Sequence, residues 1–317
     1  MMNVEIGKYL IGQGQPIFIV GEIGINHNGN VSTAKHLIDI AVKAGCQAVK
    51  FQKRTVPVVY CEVELKRPRE VPFEMMKLAV QRGVCSPEIL THPMSESSLE
   101  TTNGDLKMAL EFTEKEYEEI DRHSREKGIM WYASPWDEGS VDFLEKFNPP
   151  AYKIASASLT DDELLKYIRS RQRPVILSTG MSKLEEIDHA VEILGKRNLV
   201  ILHCTSTYPA ELEELNLKVI DSLRKRYSVP VGYSGHEKGI YPSIYAAALG
   251  ACVVERHITV DRTMWGSDQA VSLEPKGLQF LVEAIREGEK ALGDGLKRVL
   301  NSEVPILKKL RRKIGNP

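Results

Sequence analysis

Two short runs, Pro230-Val-Gly-Tyr-Ser-Gly-His236 and Cys252-Val-Val-Glu-Arg-His257, flank an apolar helical pattern at Tyr241–Leu249. This order is typical of two parallel strands joined by a crossover helix. If the strands are neighbours, both histidines emerge at the same end of one sheet. Two imidazoles at that end can hold a divalent metal, because neutral imidazole is a favoured nitrogen ligand. A pair of histidines taken alone is more often structural, so the rest of the chain has to decide between the two interpretations.

The alternation of strand and helix patterns extends over most of the chain and indicates eight strands. They are Ile17–Ile23, Ala48–Gln52, Ile129–Ser134, Ala151–Ala155, Pro174–Ser178, Leu199–Cys204, Pro230–Ser234 and Cys252–His257. The helical patterns are Ser32–Ala44, Glu114–Lys127, Gly139–Lys146, Asp161–Ser170, Lys183–Leu194, Leu217–Arg226, Tyr241–Leu249 and Pro275–Leu292. Eight such units predict an α/β fold of the (β/α)8 TIM barrel type. A doubly wound open sheet is the alternative, but Glu22–Gly29 is not the glycine-rich phosphate turn that usually follows its first strand.

The predicted domain organisation is one barrel domain over residues 1–300 and a helical tail over residues 301–317. A long insertion after the second strand, residues 53–112, contains five prolines and a stretch rich in serine and threonine. Because it leaves the C-terminal end of a strand, we expect it to lie over the barrel mouth as a lid or binding loop. Within it, Pro72–Arg82 is predicted to form a short helix.

Composition excludes several classes of partner. The chain has 317 residues, a net charge of −1 and 42% hydrophobic residues, which favours neither nucleic acid nor an acidic membrane as a partner. The basic run at residues 308–313 is expected to be a solvated helix end. Five scattered cysteines, no secretory signal and no apolar stretch of membrane-spanning length predict a protein of the reducing cytoplasm.

Polar residues gather at or just past the C-terminal ends of the predicted strands. They are Glu22, Asn26, His27, Lys50, Gln52, Ser134, Lys153, Ser156, Ser178, Thr179, His203, Thr205, Ser206, Ser234, His236, Glu255 and His257. Barrel enzymes place their active sites at this end, and burying so many polar groups without a ligand is costly. The convergence therefore predicts an active site, although any single member could be structural.

Two lysines point to an anionic ligand. Lys50 and Lys153 stand among apolar residues, where a lysine needs a partner. The hydroxyls of Ser156, Ser178, Ser206 and Ser234 would complete a phosphate or carboxylate pocket. Glu22 is the candidate for proton transfer or for orienting a substrate hydroxyl.

The strand ends belong to motifs that occur in a familiar order. They are Glu22 with Ile23-Gly-Ile-Asn-His-Asn-Gly29, Lys50-Phe-Gln52, Tyr152-Lys-Ile-Ala-Ser156, Leu177-Ser-Thr-Gly-Met181, His203-Cys-Thr-Ser-Thr-Tyr-Pro209, Gly232-Tyr-Ser-Gly-His236, Glu255-Arg-His-Ile-Thr259 and Trp265-Gly-Ser-Asp-Gln-Ala-Val-Ser-Leu-Glu-Pro275. Together they resemble the catalytic barrel domain of the sialic acid synthase (N-acetylneuraminate synthase) family, from about Ile17 to Leu300. The resemblance implies that phosphoenolpyruvate condenses with an open-chain N-acetylhexosamine, giving a 2-keto-3-deoxy nonulosonic acid and phosphate. It also implies a divalent cation, Mn²⁺ or Mg²⁺.

The resemblance assigns roles to individual residues by motif position. It implies that His236 and His257 bind the metal and that Glu22 is the catalytic glutamate. Lys50, Lys153, Ser156, Ser178 and Ser234 match contacts to phosphoenolpyruvate, and Gln52, Tyr208 and Asp268 match groups near the acceptor sugar.

Three departures from the family pattern bear on the acceptor. Ser158 stands where many members have a carboxylate, and Ser206 stands where an asparagine often lies beside the phosphate. Bacterial members usually continue into an antifreeze-like domain, whereas this chain stops at Pro317. We therefore expect the insertion or a separate chain to close the mouth, or the acceptor to differ.

Alternative functions follow from these departures. One is a synthase of another 2-keto-3-deoxy sugar acid with a different aldose acceptor. The other is a non-catalytic subunit that binds a sugar acid, which the retained glutamate, lysines and histidines disfavour. A homodimer is expected, with the oligomeric state left open.

Overall fold

The computed structural model describes residues 3–312. The strands are β1 (Val4–Ile6), β2 (Tyr9–Ile11), β3 (Phe18–Gly24), β4 (Ala48–Lys53), β5 (Pro68–Pro72), β6 (Ser98–Thr102), β7 (Met130–Pro135), β8 (Tyr152–Ile154), β9 (Val175–Ser178), β10 (Leu199–Cys204), β11 (Val231–Gly235) and β12 (Val253–His257). The α-helices are α1 (Val31–Ala44), α2 (Val56–Val59), α3 (Glu62–Leu65), α4 (Phe73–Gln81), α5 (Asn103–Leu110), α6 (Glu114–Lys127), α7 (Glu138–Glu145), α8 (Asp162–Ser170), α9 (Leu184–Leu194), α10 (Val219–Tyr227), α11 (Tyr241–Ala248), α12 (Pro275–Leu292) and α13 (Val304–Leu310).

Eight parallel strands close into a barrel in the order β3, β4, β7, β8, β9, β10, β11 and β12. The last strand pairs with the first, with Val253 opposite Phe18 and His257 opposite Glu22. This closure confirms the predicted (β/α)8 TIM barrel and excludes the open sheet. The predicted barrel strands are confirmed, each end to within one residue.

The barrel forms because its strands are apolar enough to be covered on both faces. Every residue of β3, β9, β10, β11 and β12 is buried. The surrounding helices bury one apolar stripe each, as in α8, where Leu164, Leu165 and Ile168 face the sheet. Because the strands are parallel and the helices cover the outside of the barrel, the C-terminal ends of all eight strands meet at one mouth.

A hairpin at the N-terminus was not predicted. Strands β1 and β2 pair antiparallel, and Val4, Ile6 and Ile11 join the apolar cluster at the opposite end of the barrel from the mouth. Three-residue strands carry too little alternation to be recognised in a sequence. The hairpin covers the bottom of the barrel.

The insertion is a small folded unit rather than an open loop. Strands β5 and β6 pair antiparallel, and α4 lies where a helix was predicted. Its apolar cluster consists of Val71, Met75, Met76, Ala79, Leu99, Leu106, Ala109 and Leu110. At its start, the Thr55 N–H and hydroxyl donate to Asp137 at 2.7 and 2.9 Å. At its end, the Ala109 and Glu111 carbonyls accept from Arg82, which also pairs with Glu116 of α6 at 2.6 Å. Both ends are thereby tied to the barrel rim.

The C-terminal tail contains α13, whose side chains are largely exposed. Lys308 and Lys309 lie in its last turn, as predicted for a solvated helix end, and residues 313–317 lie outside the described residues. Among residues 3–312, no helix is both long and apolar enough to cross a bilayer.

Candidate active site

The C-terminal ends of the barrel strands surround a cavity of about 220 Å³. Its lining includes every predicted site residue except Asp268: Glu22, Lys50, Gln52, Lys153, Ser156, Ser178, Ser206, Tyr208, Ser234, His236 and His257. A larger crevice of about 650 Å³ opens at the barrel bottom, between residues 12–17 and 247–252. Because the polar and ionisable groups converge on the smaller cavity, we place the site there.

Two lysines and two carboxylates form a charged cluster in the cavity. Lys50 Nζ lies 2.7 Å from Glu22 Oε2 and 3.9 Å from Glu255 Oε1. Lys153 Nζ lies 3.3 Å from the same Glu255 oxygen. All four side chains are buried, with at most 5% of any of them exposed. When Glu22 is ionised, the two positive and two negative charges of this group balance.

The two carboxyl groups differ in acidity. Burial raises the pKa of Glu22 to about 7, and Glu255 adds to this, although Lys50 opposes it. Burial also acts to raise the pKa of Glu255, but Lys153 and Lys50 outweigh it and hold this pKa well below its usual range. Glu22 can therefore gain or lose a proton near neutral pH, whereas Glu255 stays a permanent anion.

The pKa values of the two lysines shift in opposite directions. Burial acts to lower the pKa of Lys50, but Glu22 and Glu255 outweigh it and raise that pKa. Burial lowers the pKa of Lys153, and the neighbouring Lys50 lowers it further. An additional anion in the cavity would favour the charged form of Lys153.

Serine hydroxyls line the wall beside the lysines. Ser234 Oγ donates to Glu255 at 3.1 Å, and Ser156 Oγ accepts the Gly180 N–H at 3.0 Å. Ser178 Oγ is buried without a hydrogen-bond partner among the described residues. A Cβ on Gly180 would lie 2.1 Å from Ser206 Oγ, so glycine is needed for these hydroxyls to come together. The wall offers hydroxyl groups to an anion held by the lysines.

The two histidines lie side by side at the cavity edge, with ring centroids 5.5 Å apart. His236 Nδ1 donates to the Thr205 carbonyl at 2.7 Å, which leaves Nε2 with a lone pair 2.9 Å from the Tyr208 hydroxyl. His257 Nδ1 is buried without a hydrogen-bond partner in residues 3–312. Burial lowers the pKa of both imidazoles to about 3, so both rings are neutral.

This arrangement fits a cation that takes two imidazole nitrogens. A neutral imidazole keeps a lone pair on one ring nitrogen, and this is the state that binds a divalent metal. Across the part of the chain that the structure describes, no group of three or more histidine, cysteine, aspartate or glutamate side chains could hold a metal. The two histidines would therefore need further ligands from substrate or water.

Asp268 is the predicted site residue that does not line the cavity. It lies on the loop after β12, and its Oδ2 is 3.8 Å from His257 Nδ1. Loop paths depend on tertiary contacts, so motif position alone could not place this carboxylate. Ser158 is buried and also stands outside the lining, where Ala155 and Ala157 appear instead.

Several lining residues had no role assigned from the sequence: Glu255, Ser134, Trp136, Met181 and Cys204. Glu255 had a recognisable signal, because it stands two residues before His257 on one strand and shares its face. Arg256, between them, points the other way and pairs with buried Glu237 at 2.8 Å. The carboxylate therefore pairs with the barrel lysines rather than with Arg256.

Known proteins are similar to this chain in sequence and in fold. Residues 85–297 match the model of the NeuB family. N-acetylneuraminate-9-phosphate synthase of Homo sapiens is 36% identical over 311 residues, covering 97% of this chain and 80% of the relative. N,N'-diacetyllegionaminic acid synthase of Campylobacter jejuni is 36% identical over 301 residues, covering 93% and 83%.

A solved structure agrees with these relatives. The N-acetylneuraminic acid (sialic acid) synthetase of Leptospira borgpetersenii, in complex with citrate, superposes with a TM-score of 0.78 and 32% identity, covering 98% of both chains. The family match spans more than half of this chain, and both relatives are synthases that align over most of their length. The chain is therefore an enzyme of the NeuB family, related to the sialic acid synthases.

Proposed function

We propose that this enzyme condenses phosphoenolpyruvate with an N-acetylhexosamine-type aldose to give a sialic-acid-like 2-keto-3-deoxy nonulosonic acid and phosphate. The observation that carries the proposal is one cavity in which two buried lysines, a proton-exchanging glutamate and two neutral histidines meet. The names of the synthases to which the chain is similar support the product class.

Lys50 and Lys153 are proposed to bind the carboxylate and phosphate of phosphoenolpyruvate. Both ammonium groups are buried, and their protein counter-ions are Glu22 and Glu255. The free hydroxyl of Ser178 and the hydroxyls of Ser156, Ser206 and Ser234 line the same wall. A multiply charged anion would form charge-assisted hydrogen bonds to both lysines, and these would be stronger than the contacts of the lysines with Glu22 and Glu255.

His236 and His257 are proposed to hold Mn²⁺ or Mg²⁺, beside the acceptor contacts Gln52, Tyr208 and Asp268. When bound, such an ion polarises a carbonyl group as a Lewis acid. Tyr208 stacks on His236 with ring centroids 4.1 Å apart, which orients the imidazole.

Glu22 is proposed to transfer the proton. Carbon 3 of phosphoenolpyruvate attacks the aldehyde carbon, and the aldehyde oxygen gains a proton as the new C–C bond forms. Water then adds to carbon 2, and phosphate leaves. Glu22, with a pKa near 7, can supply or accept a proton at neutral pH, and Lys50 at 2.7 Å stabilises its ionised form.

The decisive assay measures phosphate release from phosphoenolpyruvate with Mn²⁺ across N-acetylhexosamines, both free and 6-phosphorylated. We expect aldose-dependent release of phosphate by the folded protein. Reactions without aldose, and with metal chelated, serve as controls. If the folded protein released no phosphate with any aldose, the proposal would be abandoned.

Replacement of either proposed metal ligand should abolish turnover. His236→Ala and His257→Ala each remove one of the two imidazoles, so we expect loss of at least about 100-fold in metal-dependent activity with unchanged circular dichroism. The control is His189→Ala, because His189 pairs with Asp162 on the exposed surface. Activity that survived either cavity substitution would remove the metal assignment.

A second candidate is a synthase that uses a different aldose. The segment after β8 presents Ala155 and Ala157 to the cavity, so it supplies no carboxylate to the cavity lining. A panel widened to aldoses without an N-acetyl group separates the two candidates. A homodimer and a cytoplasmic location also stay predictions, which light scattering and cell fractionation would check.

A further inference from the structure

The side-chain amide of Gln52 lies between a carboxylate and a guanidinium group. Gln52 Nε2 donates to Glu22 Oε1 at 3.3 Å. On its other side, Arg54 Nη2 donates to Gln52 Oε1. The amide therefore links the cavity to a residue outside the lining.

Arg54 is held in place by the insertion. Only 5% of Arg54 is exposed, and its Nε lies 2.8 Å from Glu111 Oε1. Its Nη1 donates to the Tyr60 hydroxyl at 3.0 Å, and the guanidinium carbon lies 4.9 Å from the ring centre of Trp136. Contacts in three directions leave the guanidinium little freedom.

Glu111 is itself fixed at the end of the insertion. Its carboxylate accepts from Lys53 Nζ at 3.1 Å and from the Arg54 backbone N–H at 3.2 Å. Its backbone carbonyl accepts from Arg82 Nη2 at 2.6 Å. The position of Arg54 therefore depends on how the insertion docks against the barrel.

We propose that Arg54 is a positioning residue that fixes the Gln52 amide with its NH₂ group, not its carbonyl oxygen, directed at Glu22 and the cavity. A flipped amide would place NH₂ against the guanidinium donors and oxygen against the Glu22 carboxylate. The contact with the guanidinium would be repulsive at any pH, and the contact with Glu22 would be repulsive when that carboxyl is ionised. Arg54 therefore selects one of two amide orientations that have nearly the same shape. Gln52 thus presents a hydrogen-bond donor to the ligand.

The orientation has a consequence for the substrate, and this consequence rests on the proposed function. The acceptor group that meets Gln52 must offer a lone pair, as a hydroxyl or carbonyl oxygen does. Loss of Arg54 should therefore weaken the aldose while leaving phosphoenolpyruvate bound by the lysines.

Nuclear magnetic resonance of protein labelled with ¹⁵N-glutamine tests the amide orientation without turnover. Gln52→Met identifies the Gln52 NH₂ signals. In Arg54→Met the Gln52 oxygen loses its donor and the amide can turn away from Glu22, so we expect the NH₂ protons to exchange with water at least about tenfold faster. Arg54→Lys, which keeps a donor, should recover part of the protection. Unchanged exchange in folded Arg54→Met would overturn the proposal.

The matched control is Arg69→Met, because Arg69 is an arginine of the insertion that donates to Asn103 at 3.1 Å. It should leave the Gln52 signals unchanged. If Arg54→Met fails to fold because Glu111 loses its buried partner, the double variant Arg54→Met/Glu111→Gln removes that charge and gives the same test.

Kinetics test the consequence for the substrate. Arg54→Met should raise the aldose KM about tenfold and leave the phosphoenolpyruvate KM within about twofold, with partial recovery in Arg54→Lys. An unchanged aldose KM, or an equal rise in both constants, would overturn it. If the wild-type enzyme turns over no aldose, the proposed function fails, while the resonance experiment still decides the role of Arg54.

Discussion

At the scale of single residues, the cavity gives two glutamates opposite properties. Glu22 and Glu255 lie on neighbouring strands and share Lys50, yet Lys153 contacts Glu255 alone. One carboxyl group is therefore free to exchange a proton, and the other keeps the lysines charged. Such a division between paired carboxyl groups is how an enzyme assigns separate roles to the same residue type.

The raised pKa of Glu22 predicts a specific dependence of stability on pH. The pKa of this carboxyl rises from 4.5 to about 7 on folding. Its contribution to the free energy of unfolding is therefore fully present below pH 4.5 and is lost as pH rises through 7. Wild type should therefore lose on the order of 3 kcal/mol between pH 4.5 and 8 relative to Glu22→Gln. Urea unfolding of both proteins across this range is the measurement, with exposed Glu88→Gln as the control. A difference that stayed constant with pH would contradict the assignment.

Sequence reasoning located most cavity residues because the barrel rule sends strand ends to one mouth. Lys50, Lys153, His236 and His257 were found in this way. The pairing of Glu255 with two lysines was not found, since it joins strands far apart in the sequence. Arg54 was missed for a similar reason, because its partner Glu111 follows only after the whole insertion.

At the scale of elements, Arg82 is one of the residues that attach the insertion to the barrel. Its guanidinium pairs with Glu116 of α6 and donates to the carbonyl oxygens of Ala109 and Glu111 at 2.7 and 2.6 Å. Glu116 also completes the N-terminal capping box of α6 with Thr113. One arginine thus joins the end of the insertion to the start of a barrel helix.

Arg82→Met should loosen the insertion without unfolding the barrel. The variant removes the cation that pairs with Glu116 and the donor to two carbonyl groups, which weakens docking by about 2–4 kcal/mol. Hydrogen exchange should therefore accelerate over residues 73–110 and stay unchanged in β9 and β10. Lys77→Met, which removes an exposed pair with Glu74, is the control. Uniform acceleration, or none, would argue against this attachment.

Element boundaries show which signals a sequence carries. The ends of the barrel helices were predicted to within two residues. Amphipathic stripes mark these helices, and N-cap residues such as Asn30 and Thr113 mark where they begin. Strands β1, β2, β5 and β6 were missed. They have three to five residues each, and their pairing depends on contacts rather than on alternation.

At the scale of the whole molecule, the charged cavity and the apolar cluster under the hairpin lie at opposite ends of the barrel. The charged cavity occupies the C-terminal end, while Val4, Ile6 and Ile11 close the N-terminal end against Phe18, Tyr132 and Leu202. A substitution in the hairpin itself, as at Ile6, therefore lies away from the cavity lining. The barrel rule predicts this division, although the hairpin that completes the floor was not foreseen.

Ile6→Ala should reduce stability and spare catalysis. Ile6 is fully buried in the floor cluster, so truncation to alanine should cost about 2–4 kcal/mol in the free energy of unfolding. Turnover per folded molecule should stay within about twofold of wild type. Chemical unfolding and the phosphate assay provide the two measurements, with exposed Leu10→Ala as the control. An equal loss of activity would show that the two ends are coupled.

The two anchors of the insertion make it an exchangeable part. Thr55 on Asp137 fixes the start of the insertion, and Arg82 fixes its end by holding the Ala109 and Glu111 carbonyls beside Glu116. The apolar cluster of the insertion folds the chain between these two ends. Surface residues of this unit, which neither join its apolar cluster nor hold Arg54, can therefore diverge while the catalytic barrel stays intact. An insertion grafted from a relative and joined at these two ends would change the residues over the barrel mouth and leave the residues on the barrel strands unchanged.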